Sequence, residues 1–559
     1  MTKRKIAANA MVMICLGSFP MACHKPDPVT PAPSTPQSEA AIQGWTMQDR
    51  QTFAHTSQGT RFFPYKWLHA LEEKDLFSKK LFMTAERIAN LQLIPDDNTV
   101  NNPDRLPVGM AKEVAADGKE FVSITCSGCH TAQIKFNNTL RRIDGGPVMH
   151  SPGMLVGEAY VALLATSLNS GKFNRFAERV LGASHTQAER QKLKGDVNAA
   201  LKDPALLAQL HGFLSTTKEG FGRLDALGRG GNLVLATRMG DIRNLVSTNA
   251  PVSYPHLWGT PSFDWVQWNG SISQPLARNI AEALGVQTPI TLKSDNPADL
   301  FKSDVNLQNL VLLEEILKKL EPPRWPADLL GPIDQAKAAK GAALYDQHCA
   351  SCHESKLNPP NEFGKQFLRI NMSPLPDIGT DPTTAVNFEK RMAFTNQLSK
   401  PPINLPPKIS VASALEKVTD QVAQRKFAEL NIAPEMQDEM RGFRKNIIRA
   451  PLAYRARNMD GIWATAPYLH NNSVPNLYQL LLPAAQRDKS FYVGSLQYDP
   501  KVLGFVTTNS PGAFRFRTNI TGNSNVGHEY RDGPLGKGII GPLLTEEERW
   551  AIIEYLKTR

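Results

Sequence analysis

Cys126-Ser127-Gly128-Cys129-His130 and Cys349-Ala350-Ser351-Cys352-His353 are two copies of one pattern, C-x-x-C-H. In this pattern two thiols add to the vinyl groups of a haem, and the adjacent histidine reaches the iron from the proximal side. A C-x-x-C pair can also hold zinc or shuttle a disulfide. The duplication weighs against both. The chain has six cysteines, and all four that lie outside the N-terminal leader region fall into the repeated pattern, leaving none for disulfides. Cys126, Cys129, Cys349 and Cys352 are therefore read as attachment points for two covalently bound haem c groups, with His130 and His353 as proximal ligands.

The flanking sequence sets the expected fold. Gly341 to His348 leads into Cys349 with apolar and aromatic residues at helical spacing, and Gly118 to Ile124 leads into Cys126 in a similar way. At the far end, Leu544 to Leu556 reads as an amphipathic helix with Thr545 as N-cap and Glu548 closing a capping box. A cytochrome c fold places there the helix that crosses the first one. Leu307 to Leu320, stopped by Pro322-Pro323, is the expected counterpart for the first motif. The expectation is a mainly α chain with long loops, built as two tandem cytochrome c-like domains, each around one covalent haem. Its boundaries are a secretory leader over 1–22, a Pro-rich tether over 23–43, an N-terminal domain with inserts over 44–325 and a C-terminal domain over 326–559.

Length and composition agree with more than one core: 559 residues exceed what a single core usually serves, and 41 prolines with 38 glycines imply many loops. The net charge of +10 is mild for this length, and no compact stripe of basic and aromatic residues argues for nucleic acid. Lys3-Arg4-Lys5 followed by the apolar run Ile6 to Ala22 has the form of a secretory leader. The expected location is periplasmic or exported. Cys23 begins a proline-rich segment and is a candidate lipid anchor, although Pro20-Met21 departs from the usual lipobox; simple leader cleavage is the alternative.

Between and after the motifs the sequence resembles a family. Arg142 to Pro147, Gly220 to Arg229, Val266 to Ser271, Leu320 to Pro326, Ala464 to Pro475 and Phe491 to Gly494 together look like the RoxA-like (rubber-oxygenase-like) dihaem cytochromes. The resemblance extends more faintly to the dihaem cytochrome c peroxidases and the MauG enzymes. It implies a second haem with two histidine ligands, the distal one near the C-terminus. His528, in a loop shortly before Thr545, is where a cytochrome c fold offers that ligand; His470 is the alternative and Met459 a weaker one.

Around the first motif the reading is less direct. Arg223 and Arg229 are candidate partners for haem propionates, which need bidentate cations when buried, and Gly228 to Asn232 gives a backbone that can approach a haem closely. Trp258, Trp265 and Trp268 are candidate walls of an apolar distal pocket. His150, His211 and His256 sit in segments without a ligand-like setting, so no strong ligand is expected opposite His130. The leading expectation is an exported oxidoreductase whose first haem binds dioxygen or peroxide and whose second transfers electrons. Its partners would be a small redox protein, dioxygen or peroxide, and a hydrophobic organic substrate. A dihaem peroxidase and a pure electron-transfer cytochrome are the alternatives. Ala277 and Arg278 stand where the dihaem peroxidases carry a glutamate, which counts against the former.

Overall fold

The protein is described here from a computed structural model, over residues 43–207 and 215–559. The leader, the tether with Cys23, and His211 lie outside these residues.

The helix pair at the second motif forms as its sequence dictates. Helix Gln335–His348 is capped by Asp334, and helix Glu546–Leu556 carries the Thr545–Glu548 capping box. The two cross where Gly341 meets Ala551, so closely that a Cβ at Gly341 would stand 1.9 Å from the Ala551 carbonyl oxygen. Tyr345 and Tyr555 then pack ring against ring at 5.1 Å.

The first motif is framed differently. The stretch before Cys126, expected to be helical, is the strand Glu120–Ile124, paired antiparallel with Met110–Val114. Phe121, Val122 and Ile124 favour an extended backbone, and Asp117-Gly118 supplies the turn with Gly118 at φ +78°. A second hairpin, Thr131–Phe136 with Thr139–Asp144, leaves the motif through Asn137 at φ 52°. The helix against this motif comes from far upstream. It is Met47–His55, whose Ala54 and Phe53 carbonyls accept hydrogen bonds from the Thr125 and Ser127 hydroxyls at 2.9 and 3.4 Å. Trp45, just before it, donates its indole N–H to Ile316 on helix Leu307–Leu317 at 2.8 Å.

These observations correct the expected fold class. Among the described residues nineteen strands form nine small sheets, so the chain is a mixture of helices and short ribbons rather than mainly α. The described residues belong to one compact unit, and one apolar cluster holds Trp258 and Leu313 together with Tyr345, Trp463 and Ile553. Two tandem cytochrome c-like domains are not what the fold presents: the crossed pair of terminal helices belongs to the second motif, while hairpins flank the first. The other large clusters surround helices Pro275–Gly285 and Val411–Glu429, and the helices between residues 152 and 200.

Candidate haem sites

Both C-x-x-C-H motifs close into a tight turn. The amide of His130 donates to the Cys126 carbonyl and that of His353 to the Cys349 carbonyl, each at 3.0 Å. Each histidine then bonds a distant backbone carbonyl through Nδ1: His130 to Pro255 at 2.8 Å and His353 to Arg457 at 2.7 Å. A ring whose Nδ1–H is committed in this way presents Nε2 as the ligating nitrogen in a fixed orientation. Burial, reinforced by the Arg278 guanidinium and opposed by the Pro255 hydrogen bond, brings the His130 pKa down to about 4, so the imidazole is neutral. Burial likewise pushes the Cys129 thiol up to about 12 and raises Cys126 and Cys349. Zinc needs thiolates, and among the described residues no three His, Cys, Asp or Glu side chains converge as a metal cage would require. The donor set at each motif fits covalent haem: two thiols for the vinyl groups and one oriented imidazole for the iron.

At the second motif the ring of His528 faces that of His353, their centroids 6.1 Å apart. Two imidazoles ligating one metal from opposite sides need about this spacing, since each metal–nitrogen bond is about 2.0 Å. His528 sits in the left-handed region at φ 43°, directly after Gly527 at φ 73°, whose Cβ would strike the Gly379 backbone at 2.3 Å. Arg487 holds this loop in place. Fully buried, it donates to the carbonyls of Asn525, Gly527 and His528 at 2.7, 2.9 and 2.7 Å. Burial, with the His353 ring and Arg487 beside it, pulls the His528 pKa down to about 3. His470 is turned elsewhere, stacked on Tyr454 at 4.0 Å, and Met459 packs against the apolar core.

At the first motif no such imidazole pair exists among the described residues. His150 bonds the Gly128 carbonyl through Nε2 and so braces the attachment turn. His256 stacks on Trp258 at 4.6 Å. The ring against His130 is Tyr254, at 6.1 Å. Helix Pro275–Gly285 adds two groups whose charge acts on Cys126, Glu282 and Arg278, one turn apart on one face. The Glu282 carboxyl accepts from Gln267 at 3.1 Å, and burial raises its pKa. Gln267 takes φ 68°, a conformation that side chains rarely adopt.

Several expected residues have other work. Arg229 forms a buried bidentate pair with Glu219 at 2.6 and 2.8 Å, and Arg223 is spent on the Glu219, Asn471 and Lys218 carbonyls and the Asn523 amide. Neither guanidinium offers its fork to a propionate. The glycines after Arg229 pack helices instead, with Gly230 against Gly285. The three tryptophans part company. Trp258 joins the core under Gly461, Trp265 lies beneath Arg449 at 3.5 Å, and Trp268 lies near Arg455 and Arg457 at 6.0 and 4.9 Å. They do not make one wall. Glu282 was legible from the helical period that carries Arg278, whereas the Pro255 and Arg457 carbonyls are backbone groups without a sequence signal.

A family model described as RoxA-like, cytochrome c-like matches residues 453–492, the segment that contains Arg457 and His470. The uncharacterized protein y4iJ of Sinorhizobium fredii is 36% identical over 567 residues, covering 92% of each chain. A second protein of that organism, uncharacterized y4iM, is 31% identical over 55% of this chain and 64% of its own.

Proposed function

Because this chain belongs to one family with the y4iJ protein and carries the RoxA-like, cytochrome c-like signature, whose cofactor is covalent haem c, we propose that it is an exported dihaem oxidoreductase. The first haem, at His130, is open to a small oxidant such as dioxygen or peroxide. The second, between His353 and His528, passes electrons. The observation that carries this reading is the asymmetry between two otherwise parallel motifs: His353 has a facing imidazole at 6.1 Å and His130 has none among the described residues. A haem iron with two strong protein ligands serves electron transfer, while one with a free sixth position activates its ligand. Its partners would be a small redox protein and an organic substrate. The leader-like residues at the N-terminus support export, and no helix among the described residues is long and apolar enough to cross a membrane.

The chain's own part is orientation and exclusion of water. Pro255 and Arg457 fix the proximal rings, His150 braces the first turn, and Arg487 fixes the His528 loop. In the reduced protein, carbon monoxide should shift the Soret band of about half the haem, since one of two irons is open. No shift at all would favour a pure electron carrier.

Glu282 supports peroxide as the oxidant. Ala277 and Arg278 stand where the dihaem peroxidases carry an acid, but the helix brings the half-buried carboxyl of Glu282 to the same neighbourhood one turn later. With its pKa raised by burial, Glu282 can hold and pass a proton beside Gln267. If peroxide cleavage uses it, Glu282→Gln should lower peroxide turnover with a reduced cytochrome by about 10²-fold or more. Unchanged turnover would leave dioxygen as the better oxidant.

A further inference from the structure

Most buried arginines of this chain have their forks occupied. Arg229 is paired with Glu219, Arg223 and Arg487 are surrounded by carbonyls, and Arg444 donates to the Phe263, Ser273 and Pro261 carbonyls. Arg455 and Arg457 stand apart. Arg455 is only 7% exposed, and its Nε has no hydrogen-bond partner. Arg457 spends one nitrogen on the Thr465 hydroxyl at 3.0 Å. The charges that act on Arg455 are Arg457 and Arg278, both positive, with no carboxylate among them. Asn269, next in the chain to Trp268, is fully buried with neither amide atom hydrogen-bonded. Arg278 is itself paired with Glu314, but Arg455 and the half-buried Arg457 form no ion pair among the described residues, and cations held out of water without a counter-charge are strongly unfavourable, so the site calls for an anion.

Their place in the chain says which anion. The carbonyl of Arg457 orients His353, and both guanidiniums act on His256, the residue after Pro255, whose carbonyl orients His130. Trp268 is fixed between these elements: its indole N–H donates to Ser253 at 2.7 Å, and its carbonyl accepts from the Arg455 amide at 3.0 Å. We propose that Arg455 and Arg457, ranged over Trp268, are the clamp for the haem propionates where the surroundings of the two motifs meet. The propionates supply the missing negative charge, and planar guanidiniums match carboxylates bidentately. The two arginines are positioning and charge-tuning residues here. This inference rests on the dihaem reading above.

The test uses the haem-loaded full chain and its reduction potentials, read spectroelectrochemically as a function of pH. Arg455→Gln and Arg457→Gln should each lower a haem potential, because a lost positive charge favours the ferric state. Each should also make that potential pH-dependent near neutrality, because an unpaired propionate titrates at higher pH. Arg455→Lys, which keeps the charge, should stay close to wild type in potential and shift the propionate bending bands in resonance Raman spectra. Fully loaded Gln variants with unchanged potentials and unchanged pH slopes would overturn the clamp. If the Gln variants do not load, the Lys variant decides: shifted propionate bands support the clamp and unchanged bands overturn it. Failure of the underlying reading is distinguishable, since it would show as fewer than two haems in the wild-type protein.

Discussion

His528 reached its position through three separate provisions: a left-handed backbone at its own φ of 43°, a glycine before it, and Arg487 bridging three carbonyls of the loop. Strain of this kind costs on the order of 1–3 kcal/mol and persists where surrounding contacts over-determine it. His528→Ala should therefore convert a low-spin haem signal to high-spin while the covalent haem content stays unchanged, as read by optical and electron paramagnetic resonance spectra. His470→Ala should leave that signal in place, because its ring stacks on Tyr454. The opposite pair of results would move the ligand to His470. His528 was singled out in the sequence because a cytochrome c fold offers a distal ligand shortly before its last helix and the RoxA-like resemblance implies a histidine there, and the structure sets its ring 6.1 Å from that of His353. The roles of Arg223 and Arg229 were not legible, since a glycine-rich arginine segment reads the same whether its forks meet propionates or Glu219.

The crossing of Gln335–His348 with Glu546–Leu556 was legible for a different reason: capping residues and apolar spacing are local signals. What could not be read was the hairpin before Cys126, because Phe121-Val122-Ser123-Ile124 is a short apolar run that periodicity alone does not assign. Gly341 is the contact on which the crossing depends. Gly341→Ala places a methyl group on the Ala551 carbonyl and should destabilise the fold by about 1–3 kcal/mol, measured by denaturant unfolding of the haem-loaded protein. A pH effect belongs to the N-terminal helices, where buried Glu72 binds Lys172, Arg175 and Arg179 at 3.4, 2.7 and 2.9 Å. Burial alone would raise the Glu72 pKa, but the hydrogen bonds from Arg175 and Arg179 outweigh it and hold it at about 2. An unfolded glutamate titrates near 4.3, so this stabilisation is complete above about pH 4.3 and is lost as pH falls towards 2. Glu72→Gln leaves Lys172 buried without its counter-charge and should cost on the order of 3 kcal/mol near pH 7. The gap from wild type should narrow at about pH 3; an equal gap at both would contradict the assignment.

The two motifs share one core although their surroundings differ. Trp258 and Leu313, from the first half, pack with Tyr345, Trp463 and Ile553 from the second, so the two C-x-x-C-H segments are set in one body and not in two beads on a string. Sequence repetition of C-x-x-C-H suggested repetition of fold, but five residues specify a chemistry and a turn, not the elements around them. The same merging puts Arg457 in reach of both sites: its carbonyl orients His353 while its guanidinium acts on His256. All of this depends on both motifs carrying haem. The reduced alkaline pyridine spectrum of the denatured protein measures that directly. Two c-type haems per chain are expected, falling to one when Cys126 and Cys129 are both replaced by Ala and to one when Cys349 and Cys352 are. A single haem in the wild-type chain, or full haem retained in either double variant, would contradict the account.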